Sequence, residues 1–150
     1  MMAIAKKWPI ASVLGLMLVV GCGQGPEVVP VRGVVTLDGK PLKKVYVQFI
    51  PQTTKDGHPG SYATTDDKGQ FELRLYQAVG NHSHGAVVGK HTVVLRDTDR
   101  PVRPPIPPPK VAPKYSEPTK SPLQIEVSEP TNLSLMVDRR GEVSIQPEGQ

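Results

Sequence analysis

The stretch VRGVVTLDGKPLKKVYVQFIP, residues 31–51, decides the fold. Val31, Gly33, Val35 and Leu37 share one parity. Val45, Val47 and Phe49 do the same, opposite Tyr46, Gln48 and Ile50. Successive side chains of a strand point to opposite faces, so this alternation predicts two strands, each with one buried and one wet face. Asp38-Gly39 sits between them. Asp tolerates unusual backbone angles and Gly supplies positive φ, so the pair predicts a turn.

The same period continues outward. Phe71, Leu73 and Leu75 alternate with Glu72, Arg74 and Tyr76; Val93 and Leu95 with Thr92, Val94 and Arg96. Leu123, Ile125 and Val127 alternate with Gln124 and Glu126, followed by Leu133, Leu135 and Val137, then Val143 and Ile145. β-Branched residues dominate the apolar positions, as strands prefer. Asp66-Asp67-Lys68-Gly69 reads as a hairpin turn between 62–65 and 70–75. With 17 prolines and 14 glycines, a helical bundle is excluded, because both residues break helix interiors. About seven short strands at this spacing predict an all-β sandwich.

The amino terminus reads as an address. Lys6 and Lys7 precede WPIASVLGLMLVV, residues 8–20, an apolar run of 13 residues. A spanning helix needs about 20, whereas a signal-peptide apolar region needs fewer. Val19-Val20-Gly21-Cys22 follows at once and resembles a bacterial lipobox. That resemblance implies cleavage before Cys22, with acyl chains on its sulfur and its freed amine. Several chains on one cysteine make a stable anchor where one alone is marginal. The expected divisions are a signal peptide over 1–21, a lipidated tether over 22–30, a β-sandwich over 31–146 and a tail over 147–150. The expected location is the cell envelope, on the inner or outer membrane, with the domain facing the periplasm or exterior.

Cys22 is the chain's single cysteine, which excludes an intrachain disulfide framework and a multi-cysteine zinc site. The formal charge is +4, but Lys6 and Lys7 belong to the presequence, leaving 16 basic and 14 acidic residues. That balance is no nucleic-acid footprint. Residues 100–122 hold nine prolines. Proline fixes φ and lacks a donor, so this segment is expected as an extended, polyproline-like connector crossing between sheets.

Four motifs then stand in order. Residues 33–51 carry G-x-V-x-x-D-G-x-P-L, then V-x-V-x-F-x-P. TDDKGQFEL at 65–73, GAVVGKHTVV at 85–94 and PKYSEPTKSPLQIEV at 113–127 follow. Together they resemble the carboxypeptidase regulatory-like, transthyretin-like domain, and more narrowly the small lipoproteins of planctomycete-type bacteria built from it. The resemblance implies a seven-stranded Greek-key sandwich (prealbumin-like) with no shared catalytic residues. Its motif residues here are Gly33, Asp38, Gly39, Pro41, Asp66, Gly69, Phe71, Gly89 and Tyr115, with His91 in a usual aromatic position. All have structural roles: turns, close backbone approach, and core plugs, with Tyr115 over a sandwich edge and its hydroxyl wet or paired.

Candidate chemistry is sparse. His82-Ser83-His84 lies in a polar loop, with His58 in another. Side chains two apart on an extended chain point the same way, so one metal could touch both imidazoles, but a third ligand is not singled out. No serine sits in a nucleophile elbow. The expected function is a non-catalytic envelope module that binds protein or polysaccharide and needs no cofactor. A metal-dependent or carbohydrate-active enzyme built on the histidine loops is the alternative.

Overall fold

The computed structural model describes residues 25–53, 57–76 and 83–148. Their strands are β1 (Val28–Val29), β2 (Val31–Leu37), β3 (Lys40–Pro41), β4 (Val45–Pro51), β5 (Ser61–Thr64) and β6 (Gln70–Glu72). There follow β7 (Arg74–Leu75), β8 (Ala86–Val87), β9 (Gly89–Asp97), β10 (Gln124–Val127), β11 (Thr131–Val137) and β12 (Val143–Pro147). A single 3₁₀ turn spans Pro113–Ser116 among the described residues. The chain is all-β. Twelve segments stand where about seven were expected, in part because single residues interrupt three longer runs, at Pro30, Leu73 and Val88.

One sheet has the order β10-β9-β4-β5-β7, and a second has β12-β11-β2-β3 with β6 also on β2. A small pair, β1 with β8, stands apart. Among the described residues only β2 and β11 pair in parallel, from Val31 opposite Thr131 to Leu37 opposite Val137. The inward residues of both sheets form one core, including Val31, Val35, Val47, Phe49, Leu73, Leu95, Leu133 and Leu135. Two sheets burying a common core is the arrangement of a β-sandwich.

The quoted stretch folds as its chemistry dictates. Leu37 pairs with Lys40, so Asp38 and Gly39 form a two-residue hairpin loop, with φ of 49° and 79°. Positive φ at both centres matches the right-handed twist of flanking strands, and glycine takes it without strain. Gly33 has a different role. A Cβ there would lie 2.7 Å from Phe71 Cζ, and closer still to the Leu133 carbonyl oxygen. Its missing side chain lets Phe71 lie over β2.

Three boundaries differ from expectation. The tether was placed over 22–30, yet Val28 and Val29 pair with Val87 and Ala86, and Val29 is buried in the core. The tail was placed at 147–150, yet Pro147 pairs with Leu133 and the Glu148 amide donates to the Asn132 carbonyl. The Pro-rich connector does not cross between sheets. It leaves β9 and returns as β10 beside it, Gln124 opposite Thr92. It is not extended throughout, since Arg100 reaches back to the Pro107 carbonyl at 3.0 Å. Its later half packs inward through Val111 and Tyr115, because those apolar side chains gain more against the core than in water.

Gly33→Ala is expected to lower unfolding stability by about 1–3 kcal/mol, the range for overpacking a filled core. A shifted urea midpoint at unchanged slope would show it. An unchanged midpoint would mean that Phe71 does not need the space.

Candidate functional site

The turn at Asp66–Gly69 is built by its own first residue. Asp66 Oδ1 accepts from the Lys68 and Gln70 amides at 2.9 and 2.8 Å. The two strands leaving this turn then part company. At the far end they pair, Ser61 with Leu75 and Tyr62 with Arg74. Nearer the turn, β6 pairs with β2 of the other sheet, Gly33 opposite Phe71. The buried Leu73 marks the crossing, its amide donating to Val31 and its carbonyl accepting from Gly85.

The parting opens a cleft of about 640 Å³ between β5 and β6. Tyr62, Ala63 and Thr64 form one wall, and Gln70, Phe71 and Glu72 the other. Arg32, Arg74, Asn132 and Glu148 also line it. Arg32 grips Glu72 Oε1 from two nitrogens at 2.8 and 3.0 Å. That bond holds the Glu72 carboxyl below its ordinary pKa. His84 Nδ1 lies 3.6 Å from the same oxygen.

A row of three aromatic rings passes this cleft, with Tyr62, one of the cleft's lining residues, at its centre. Tyr62 stacks on Tyr46 with centroids 6.2 Å apart and meets Tyr76 at 5.2 Å. The Arg96 guanidinium lies 6.0 Å from the Tyr46 ring centre. Desolvation, ahead of the neighbouring tyrosines, raises the Tyr46 pKa. Tyr76 is 64% exposed. The alternation already put Tyr46 and Tyr76 on the wet parity. The register that lines them up with Tyr62 was not in it.

The expected site residues fall as follows. Cys22 and His82 lie outside the described residues. His58 is half-buried in the 57–60 loop, and His84 is exposed beside Glu72. No group of three or more His, Cys, Asp or Glu side chains able to hold a metal forms among the described residues. Asp38 receives Arg139 Nε at 2.9 Å, and Pro41 follows Lys40 in the short β3 ladder opposite Thr36. Gly69 closes the Asp66 turn with its amide on the Asp66 carbonyl, and Gly89 opens β9.

Tyr115 is buried to 2% exposure, yet its hydroxyl is fully engaged. It donates to Glu142 Oε2 at 2.7 Å and accepts from the Val143 amide at 3.1 Å. Lys114 joins the same carboxylate at 2.7 Å. These bonds, that of Lys114 first, hold the Glu142 carboxyl below its usual range. The group ties the connector to β12.

His91 is a core residue, 1% exposed, with its ring centre 5.8 Å from that of Phe49. Nδ1 donates to the Gly89 carbonyl at 3.0 Å, while Nε2 has no hydrogen-bond partner among the described residues. Burial pushes its pKa below the ordinary 6.5, outweighing the Gly89 bond. The ring is therefore neutral in the fold, which suits an aromatic position.

Residues 31–97 match a family model described as a domain of unknown function, DUF6795. That span runs from β2 to the end of β9, so it contains both cleft walls and the tyrosine row. No curated protein and no solved structure matches the chain. No helix among the described residues is long and apolar enough to cross a membrane.

Tyr115→Phe is expected to cost about 1–2 kcal/mol by calorimetry, since the Val143 amide and Glu142 each lose a partner. His91 predicts a pH effect. Its folded pKa is depressed, so below 6.5 the unfolded chain binds a proton first. Stability is fully present above pH 6.5 and falls as pH drops toward the folded pKa. His91→Phe should flatten urea midpoints just below pH 6.5. The depressed carboxylates titrate lower, below 4.5, and leave that window clear. An unchanged slope in the variant would exclude His91 as its source.

Proposed function

We propose that the chain is a non-catalytic, lipid-anchored protein of the bacterial cell envelope, which displays one binding module toward the periplasm or exterior. The module is a seven-stranded Greek-key sandwich of the carboxypeptidase regulatory-like, transthyretin-like kind. The parallel β2–β11 pair supports that topology, because parallel neighbours require the chain to travel through other strands between them. The membrane partner is reached through acyl chains on Cys22, after removal of residues 1–21. The second partner is an envelope protein or polysaccharide.

The observation that carries the binding reading is the cleft between β5 and β6. A concave surface lined by apolar and polar groups that converge is the ordinary form of a recognition site. The basic start, the apolar run and Gly21-Cys22 support the anchor.

Fatty-acid labelling in bacterial cells tests the anchor. The parent should incorporate label and partition into detergent, and Cys22→Ser should do neither. Retention of label in that variant would overturn the anchor at Cys22. Capture of envelope material on the full-length protein, with the cleft variant Gln70→Ala as comparison, tests the binding role.

A further inference from the structure

Building on the reading of the domain as an envelope binding module, we propose that the cleft and tyrosine row bind a neutral, β-linked polysaccharide chain. The tyrosine face selects the class. Three of the chain's four tyrosines meet on it, Tyr46 and Tyr62 with planes 24° apart and Tyr76 tilted by 59° against Tyr62 at the end of the row. Each ring offers an apolar face, and its hydroxyl stays compatible with water. Pyranose rings with equatorial linkages form a flat ribbon whose axial C–H groups make both faces apolar. Such a ribbon lies on a row of rings as a helix or a folded loop does not.

The cleft supplies the polar half of the recognition. Glu72 is committed to Arg32, and Asp66 to its own turn. The Gln70 and Asn132 carboxamides, the Thr64 hydroxyl and the Arg74 guanidinium line the same space. None of these four side chains has a hydrogen bond to another described residue. A carboxamide donates and accepts at once, which is what a vicinal pair of hydroxyls requires. Tyr62, the middle ring of the row, also lines the cleft, so a chain stacked on the row passes the cleft's polar groups.

Charge decides between neutral and acidic polymers. Arg32 and Arg74 face Asp66, Glu72 and Glu148 around the cleft. There is no cationic excess to attract a polyanion.

The experiment titrates the full-length protein in detergent micelles with cellohexaose and hexa-N-acetylchitohexaose, using maltohexaose and polygalacturonate as comparisons. Heat and tyrosine difference absorbance are both read. At least one β-linked hexasaccharide should saturate and perturb the tyrosine spectrum, with maltohexaose and polygalacturonate weaker. Tyr76→Ala should weaken binding about tenfold, as expected for one stacked ring. Tyr76 is largely exposed, so its loss leaves the core intact. Ile106→Ala, on the exposed connector, should bind as the parent does. No saturation with either β-linked sugar overturns the proposal. So does equal binding by Tyr76→Ala, by maltohexaose or by polygalacturonate. Acyl labelling of Cys22 without sugar binding defeats this proposal and leaves the anchor standing. Sugar binding without labelling does the reverse.

Discussion

The run Gln70–Tyr76 belongs to both sheets, and the remaining architecture depends on it. Its first residues pair with β2 and its last with β5. The backbone bonds alternate accordingly: Val35 to Gly69, Leu73 to Val31, Gly85 to Leu73, Leu75 to Ser83 and Tyr76 to Gly60. Buried backbone groups must find partners. A strand that changes sheets satisfies them only if both sheets stand where they do. Phe71 and Leu73 fill the space between, and Gly33 yields the room for Phe71.

The core beside the connector is closed by different means. The connector after β9 carries too many prolines to enter a sheet, so it covers the core with side chains instead. Tyr115 and Val111 supply the apolar cover, and Ala112 and Gly141 share a backbone bond beneath it. The carboxylate of Glu142 collects Lys114 and Tyr115 at the surface. Exposed ion pairs of this kind add little stability on their own. The hydroxyl bond from Tyr115 has more effect, because its other partner is the Val143 amide of β12.

Much of the fold was legible in the residues. Alternation identified β2, β4, β9, β10 and β11, since one buried face leaves a period of two. Asp38-Gly39 and Asp66–Gly69 marked their turns through side-chain and backbone chemistry. The bounds at Glu27–Val29 and Pro147–Glu148 were not legible, because two or three residues carry no period. The connector was misread as a crossing. Proline content excludes a central strand but says nothing about which strand the chain rejoins.

Local residue chemistry by itself determined that the described residues are all-β, where the Asp38-Gly39 and Asp66–Gly69 turns fall, and which parity of β2 and β4 faces inward; it did not show that Val94, on the opposite parity of β9, is buried too. It also carries the amino-terminal pattern on which the proposed anchor at Cys22 rests. Only the tertiary structure decided that β6 leaves β5 for β2, and so that a cleft exists. It alone brought Tyr46, Tyr62 and Tyr76 into one row, and buried His91 with a bare nitrogen. Periodicity is a property of one strand, whereas a cleft and a row of rings depend on register between strands far apart in the chain.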